Sequence, residues 1–222
     1  MKLEKFEVVE GKLECLTGLK IGGTKESVGV GETDNPIIRH PINRLPYIPG
    51  SSLKGKLRSL LELKYSEDSQ RTGKPCSCGR CNICSLFGNG DPRNTNEPTR
   101  LIFRDAPLSE ESKAELEENI PGLYAEVKTE IQMDRKEGKA ARGALRQQER
   151  VPEGTVFDFS LTMRVFAEDS PDRRKGYLAY LAEAFEMMEQ DYLGGNGTRG
   201  YGKVKVTHGD QSMAEYLRGL SL

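Results

Sequence analysis

Hydrophobic and polar positions alternate with period two in three stretches of the chain. Residues 155–166, TVFDFSLTMRVF, are the clearest. Phe157, Phe159, Leu161, Met163 and Val165 interleave there with Asp158, Ser160, Thr162 and Arg164, the pattern of a strand with one buried face. Residues 5–9 and 12–17 repeat it, with Phe6 and Val8, then Leu13 and Cys15, among charged neighbours. Cys15 therefore reads as a core residue. The period lengthens to that of a helix from Ser51, where Leu53, Leu57, Leu60 and Leu61 fall on one stripe. It does so again over about 173–192, through Leu178, Leu181, Ala182, Phe185 and Met188. RLIFRDA (100–106) predicts a short strand, SEESKAELEE (109–118) a solvated acidic helix, and LGGNGTRGYGKVKV (193–206) a glycine-rich loop feeding a final strand. Strand, helix, strand, strand, helix, strand is the ferredoxin-like order of an α+β fold. That order alone says little about function.

Three segments interrupt the pattern. Residues 17–36 are a glycine-rich loop. Residues 66–98 have no periodicity and carry four cysteines, which predicts an insertion. Residues 122–150 are charged and irregular, which predicts a protruding hairpin or arm. The expectation is a single domain over 1–222, with its core at about 1–65, 99–121 and 151–210.

Composition changes this picture little. Of 222 residues, 36% are hydrophobic and 30% charged, with a formal net charge of -1. The distribution matters more than the sum. Residues 109–118 hold five glutamates and one lysine, whereas 135–150 hold six basic and two acidic residues. One basic face is compatible with a near-neutral total. The first residues, MKLEKFEVVEGK, contain no apolar h-region, and no apolar run approaches the ~20 residues that span a bilayer. The expectation is a cytoplasmic protein with no membrane partner, in which disulfides are disfavoured.

Chemistry concentrates at three places. In PYIPGSSLKGKLR (46–58), Ser51 or Ser52 is placed to cap the helix. Lys54 in the first turn and Arg58 one turn on suggest more, because the helix dipole disfavours a cation there unless an anion is close. Bare N–H groups, hydroxyls and aligned cations form a phosphate seat. An ordinary serine cap is the alternative. In GGNGTRGYG (194–202), the glycines, Gly197 among them, admit a backbone ligand, with Arg199 for charge and Tyr201 for stacking. The alternative is a tight helix-to-strand turn; an RNA backbone is the candidate ligand. In CSCGRCNIC, Cys76, Cys78, Cys81 and Cys84 lie within nine residues, close enough to converge on one tetrahedral ion. Structural Zn²⁺ is the leading candidate and an iron–sulfur cluster the other. The metal would staple an insertion too small to own a core.

These residues carry a resemblance. DNPIIRHPINRLPYIPGSSLKGKLRSLLE (34–62), LFGNGDP (86–92), RLIFRDA, ERVPEGTVFDF (149–159) and LGGNGTRGYGKV (193–204) follow in order over nearly the whole chain. They resemble the RAMP superfamily, and within it the third, backbone subunits of the type III-A CRISPR effector, the Csm complex. The resemblance implies an RRM-like palm with an inserted zinc loop and a thumb hairpin at 122–150. It implies copies of the chain stacked as a filament on a CRISPR guide RNA beside other Csm-complex subunits. Each thumb inserts into the duplex of guide and target and flips out a nucleotide. The subunit then acts as an endoribonuclease, cutting the single-stranded target RNA at regular intervals with a divalent metal, Mg²⁺ or Mn²⁺. By motif the catalytic residue is Asp34 in GETDNP, which without the resemblance is an ordinary turn residue. Lys20, Ser51, Ser52, Lys54, Arg58, Gly197, Arg199 and Tyr201 would hold the guide, and Arg135 is a thumb candidate for RNA contact. Many members carry a histidine at the position of Lys20; lysine keeps a phosphate contact but not stacking.

Other readings remain beside this one. A precursor-processing RAMP endonuclease fits poorly with two histidines, His40 in a loop and His208 without a role. The others are a non-catalytic RNA scaffold, a zinc-stapled metabolic enzyme and an isolated single-stranded-RNA binder.

Overall fold

The computed structural model describes residues 1–23, 35–94 and 97–222. Its elements begin with β1 (Leu3–Cys15), β2 (Tyr47–Ile48), α1 (Gly50–Tyr65), α2 (Glu67–Thr72) and α3 (Asn82–Phe87). β3 (Leu101–Phe103), β4 (Ala106–Pro107) and α4 (Glu110–Asn119) follow, then the pair β5 (Glu126–Asp134) and β6 (Lys139–Arg150). The chain closes with β7 (Val156–Phe166), α5 (Pro171–Gln190), β8 (Val204–His208), β9 (Gln211–Ser212) and α6 (Met213–Gly219).

The main sheet has the order β3-β7-β1-β8-β9, and each neighbouring pair is antiparallel. β1 is one strand where the sequence predicts two. Gly11 is the reason. A Cβ there would lie 2.5 Å from the Thr207 carbonyl oxygen and 2.6 Å from the Phe159 ring, so the glycine marks a close approach inside the strand, not a turn. Val9, Leu13, Leu161, Met163, Val204 and Val206 project from one face of the sheet into a core shared with Leu53, Leu57 and Leu61 of α1 and Leu181, Phe185 and Met188 of α5. Burial of each such side chain contributes about 1.5–3 kcal/mol against the entropy of ordering it. Cys15 is fully buried in the same core, and burial pushes its thiol up to about 12.

Helix starts show where sequence signals act locally. α5 begins at Pro171 with Ser170 as its cap, its hydroxyl accepting from the Arg173 N–H at 3.3 Å. Ser212 and Glu215 form a reciprocal capping box that starts α6. α1 differs. Pro49, not a serine, occupies the cap position and makes no side-chain cap bond. The Gly50 N–H donates instead to Asp105 Oδ1 at 2.8 Å, a partner 55 residues away. The insertion also has more core than its sequence suggests: α3 carries Ile83, Leu86 and Phe87 into the main hydrophobic cluster.

A buried charge network locks the segment before β3 to the β7–α5 corner. Arg100 is fully buried and clamps Asp169 through Nε and a terminal nitrogen at 3.1 and 2.7 Å. Its other terminal nitrogen donates to the Pro98 carbonyl at 2.7 Å, and the Phe166 ring lies 5.0 Å beneath it. Asp169→Ala leaves this buried cation with Glu97 at 3.0 Å as its remaining carboxylate partner and should cost up to about 3 kcal/mol, the low end for breaking a buried pair. A urea-unfolding midpoint measures this. The paired exchange Arg100→Met with Asp169→Leu should cost clearly less, because no buried charge is orphaned.

Candidate nucleic-acid interface

The charged stretch 122–150, expected to be a protruding hairpin or arm, is a β-hairpin with regular strand pairing. β5 and β6 pair from Glu126 opposite Arg150 to Asp134 opposite Lys139, a span of about 27 Å at strand rise. The strand period divides β5. Val127, Ile131 and Met133 are exposed, as is Leu145 opposite Ile131. Glu126, Lys128 and Glu130 turn the other way; Lys128 and Glu130 meet the glycine-rich loop, and Glu126 pairs with Arg150.

That meeting is built on close backbone contact. The Gly195 N–H donates to the Lys20 carbonyl at 2.8 Å, and the Gly202 N–H to the Gly18 carbonyl at 3.0 Å. A Cβ at Gly194 would lie 2.2 Å from the Lys20 oxygen, and one at Gly202 would lie 2.0 Å from the Leu193 oxygen. Both glycines also have positive φ, 78° and 73°. Leu19 bridges Val151 just beyond β6, through N–H to carbonyl bonds of 2.9 and 2.8 Å in both directions. The two sequence blocks around Lys20 and Arg199, 179 positions apart, thus form one surface with the hairpin's lower half.

Four cations crowd this surface. Lys20 Nζ donates to Oε1 of buried Gln148. Burial and the neighbouring Arg199 hold the Lys20 ammonium below the usual lysine range, while Glu130 acts the other way. Arg199 donates to Glu130 Oε2 at 2.6 Å, and the Tyr201 hydroxyl donates to Glu130 Oε1 at 2.8 Å. Lys128 and Arg150 lie over the Tyr201 ring, at 4.7 and 5.0 Å from its centre. Arg150 also pairs with Glu126. Among the described residues, Lys20, Lys128, Arg150 and Arg199 thereby face two carboxylates, Glu126 and Glu130.

Tyr201 is not the exposed stacking face that its position in the glycine loop suggests. It is 1% exposed, and burial and the bond to Glu130 push its hydroxyl up to about 12. Its ring is a buried post between two cations. The residue that packs the loop's outer turn is Tyr192, whose ring fills the place of a Gly197 side chain and carries Lys56 Nζ 4.0 Å above its centre. Lys56 also pairs with Asp191 at 2.6 Å, so it is Lys56 that ties α1 to the loop. No motif in the sequence singles out Gln148, Glu130, Lys128 or Lys56.

At the start of α1, three of the first four N–H groups are engaged: Gly50 by Asp105, and Ser52 and Leu53 by the Pro49 carbonyl at 2.9 and 3.3 Å. What that end offers a ligand is the side chains of exposed Ser51, half-buried Ser52 and Lys54. Burial, then Arg58, lowers the Lys54 ammonium from its ordinary range. Arg58, expected at the phosphate seat, is committed to the cysteine loop. It donates to Glu62 Oε1 at 2.8 Å, the Gly88 carbonyl at 3.0 Å and the Cys76 carbonyl at 2.8 Å. Arg135 is exposed at the hairpin tip, at the opposite end from this surface. Asp34 lies outside the described residues. Asn35, the residue after it, bridges Gln148, and its carbonyl accepts from the Glu149 N–H at 3.2 Å. His208 is elsewhere, stacked on Tyr216 with ring centres 3.8 Å apart.

The four cysteines converge. Cys76 and Cys81 sulfurs are 3.9 Å apart, as are those of Cys78 and Cys84, and all four lie within 4.8 Å of one another. Tetrahedral Zn–S bonds of about 2.3 Å separate sulfurs by about 3.8 Å, so the set fits one metal ion. Thiolates around a cluster of several irons would stand farther apart. Burial opposes ionisation of Cys78, but the Arg80 and Cys81 N–H groups together with the Cys81 and Cys76 thiols outweigh it and bring the thiol down to about 7. Burial raises Cys81 and Cys84. Buried Glu62 accepts from both Arg58 and the Cys76 N–H at 2.9 Å, which fastens the loop to α1.

Cys76→Ser should abolish metal retention measured by elemental analysis and lower Tm by roughly 5 °C or more, because α3 depends on the loop. Gly202→Ala should destabilise by at least about 2 kcal/mol, from backbone overlap and positive φ. Gly200→Ala, with φ of 86° but open space, should cost less in the same denaturant titration.

Comparison with known proteins gives one consistent result. Residues 12–205 match the RAMP superfamily. The chain is 44% identical over 202 residues to the CRISPR system Cms endoribonuclease Csm3 of Methanocaldococcus jannaschii, covering 89% of this chain and 77% of that one. It is 40% identical to the Csm3 of Methanothermobacter thermautotrophicus, covering 99% and 91%, and 38% identical to that of Mycobacterium tuberculosis, covering 92% and 87%. Among solved structures it is similar to a chain of the Csm3–Csm4 subcomplex of the type III-A CRISPR–Cas interference complex. The TM-score is 0.58 at 32% identity, over 93% of this chain and 77% of that one. This chain belongs to the RAMP superfamily and, within it, to the Csm3 family.

Proposed function

We propose that this chain is the RNA-binding backbone subunit of a type III-A CRISPR effector and the endoribonuclease that cuts its target RNA. The observation that carries the reading is the cation excess at the hairpin root, beside the chain that leads to Asp34. Lys20, Lys128, Arg150 and Arg199 face two carboxylates there, a surface suited to a phosphate backbone. Asn35 joins that surface at Gln148.

The sheet order β8-β1-β7-β3, with α1 and α5 on one face, supports reading the core as a ferredoxin-like, RRM-like palm. The hairpin is then the thumb. Its exposed Val127, Ile131, Met133 and Leu145 are apolar surface that suits contact with unstacked bases of a guide–target duplex. Guide backbone lies along the glycine loop and the Ser51, Ser52 and Lys54 end of α1, with copies of the chain and other Csm subunits continuing the assembly. The four cysteines hold one structural zinc ion that fastens the 66–98 insertion to α1.

In the cutting step the target's 2′-OH attacks the adjacent phosphorus and the P–O5′ bond breaks, leaving a 2′,3′-cyclic phosphate and a 5′-OH end. The 2′-OH proton leaves to a base and the O5′ oxygen takes one from water. Asp34 is the carboxylate for this step, as the proton acceptor or as a ligand of Mg²⁺ or Mn²⁺, which would supply positive charge against the phosphate. The protein's largest contribution is geometric: a flipped nucleotide turns the 2′ oxygen in line with the scissile bond.

Asp34→Ala in the assembled complex, with guide, target RNA and Mg²⁺, should reduce regularly spaced cutting by roughly 10²-fold or more and leave target binding unchanged. Gel-resolved cleavage and a binding titration on the same samples measure both. Equal cutting by variant and wild type would leave this chain as a scaffold.

A further inference from the structure

Among the described residues, Glu130 is the one acidic side chain that reaches both Arg199 and Tyr201 of the glycine loop. One carboxylate oxygen takes the Arg199 guanidinium at 2.6 Å and the other takes the Tyr201 hydroxyl at 2.8 Å. It comes from β5, so the loop and the hairpin are tied through one group. The two partners differ in a way that matters. Tyr201 is buried and its bond to Glu130 is sheltered, whereas the Arg199 side chain is half exposed. Arg199 also has a second partner, Asn196 Oδ1 in its own loop. Its guanidinium therefore stays oriented when the carboxylate is exchanged for another oxyanion. Lys20 stands close enough for Glu130 to raise its ammonium's pKa and Arg199 to lower it, so any anion arriving at Arg199 also meets a second cation.

We infer that Glu130 is a positioning residue that occupies Arg199 as a phosphate would, and that a guide-RNA phosphate replaces it there. This rests on the proposed RNA-binding role of the loop. Two consequences follow from charge alone. The carboxylate holds Arg199 at the loop, so the side chain is ordered before RNA arrives. It also competes with RNA, so binding there costs the loss of an intramolecular ion pair. Exposed pairs of this kind shift an equilibrium by up to about fivefold, enough to set affinity without blocking it. When the carboxylate is displaced from Arg199 it keeps its bond to Tyr201, and the hairpin stays attached to the loop through that sheltered contact.

The test is a binding titration of the full chain with a single-stranded guide RNA over a series of salt concentrations. It uses the wild type, Glu130→Gln, Arg199→Ala and the double variant. Glu130→Gln keeps an acceptor for Tyr201 and removes the competing charge. It should tighten binding about two- to fivefold, a gain that damage to the fold does not produce. Arg199→Ala should weaken binding and lower the salt slope by about one phosphate contact. In the Arg199→Ala background, Glu130→Gln should bring no gain. Tyr201→Phe, which leaves the carboxylate on Arg199, should not tighten binding, and a circular-dichroism melt checks that each variant is folded. If Arg199→Ala weakens binding but Glu130→Gln does not tighten it, or tightens it equally in both backgrounds, the inference is overturned and the RNA reading stands. If Arg199→Ala binds as wild type, the RNA role of this loop is itself overturned.

Discussion

The close approach of Lys20 to the glycine-rich loop is the constraint from which the functional surface follows. Two backbones touch there with no room for a Cβ at Gly194, and the loop closes on its own Leu193 with none at Gly202. A side chain at Gly194 would push the loop away from Lys20, and one at Gly202 would open the turn whose N–H bonds the Gly18 carbonyl. The hairpin is held by the same two segments: Leu19 bonds Val151 beyond its second strand, and Arg199 and Tyr201 bond Glu130 on its first. Separation of a few tenths of a nanometre would therefore dismantle the cation cluster and release the hairpin root together. Glycine at these positions is a packing requirement with a functional result.

The charges on this surface divide by burial. Tyr201, Gln148 and the lysine and arginine bodies around them are sheltered and hold the parts in register. Arg199 and the hairpin's apolar stripe remain open to a partner. An exposed ion pair is weak and exchangeable; a buried hydrogen bond is not. The structure thus keeps its stable contacts beneath and its replaceable ones above.

The cysteine loop follows the same logic on the other side of α1. Glu62 and Arg58 are a helical i, i+4 pair at 2.8 Å, yet both spend their remaining capacity on the backbone of Cys76 and Gly88. One helix therefore packs the sheet with its leucine stripe and anchors the cysteine loop with its polar face. That loop runs directly into α3, whose Ile83, Leu86 and Phe87 belong to the main core.

The sequence by itself determined the elements whose signals are local. Period-two alternation identified β7, the leucine stripe identified α1, and four cysteines within nine residues identified a set of thiols that the fold brings within 4.8 Å of one another. Motif blocks read in order pointed to the family. Tertiary structure decided what depends on residues far apart in the chain. Gly11 reads as a break until Phe159 and Thr207 are seen against it. The cap of α1 is Asp105, which no helix-start rule can find 55 residues away. Arg58 and Tyr201 carry ligand-like chemistry, but their partners in the fold consume it. Glu130 looks like one charge among many in a polar stretch, and only pairing across the fold puts it on Arg199. Periodicity and spacing report neighbours along the chain; the use of a polar group is set by whichever partner the fold brings within 3 Å.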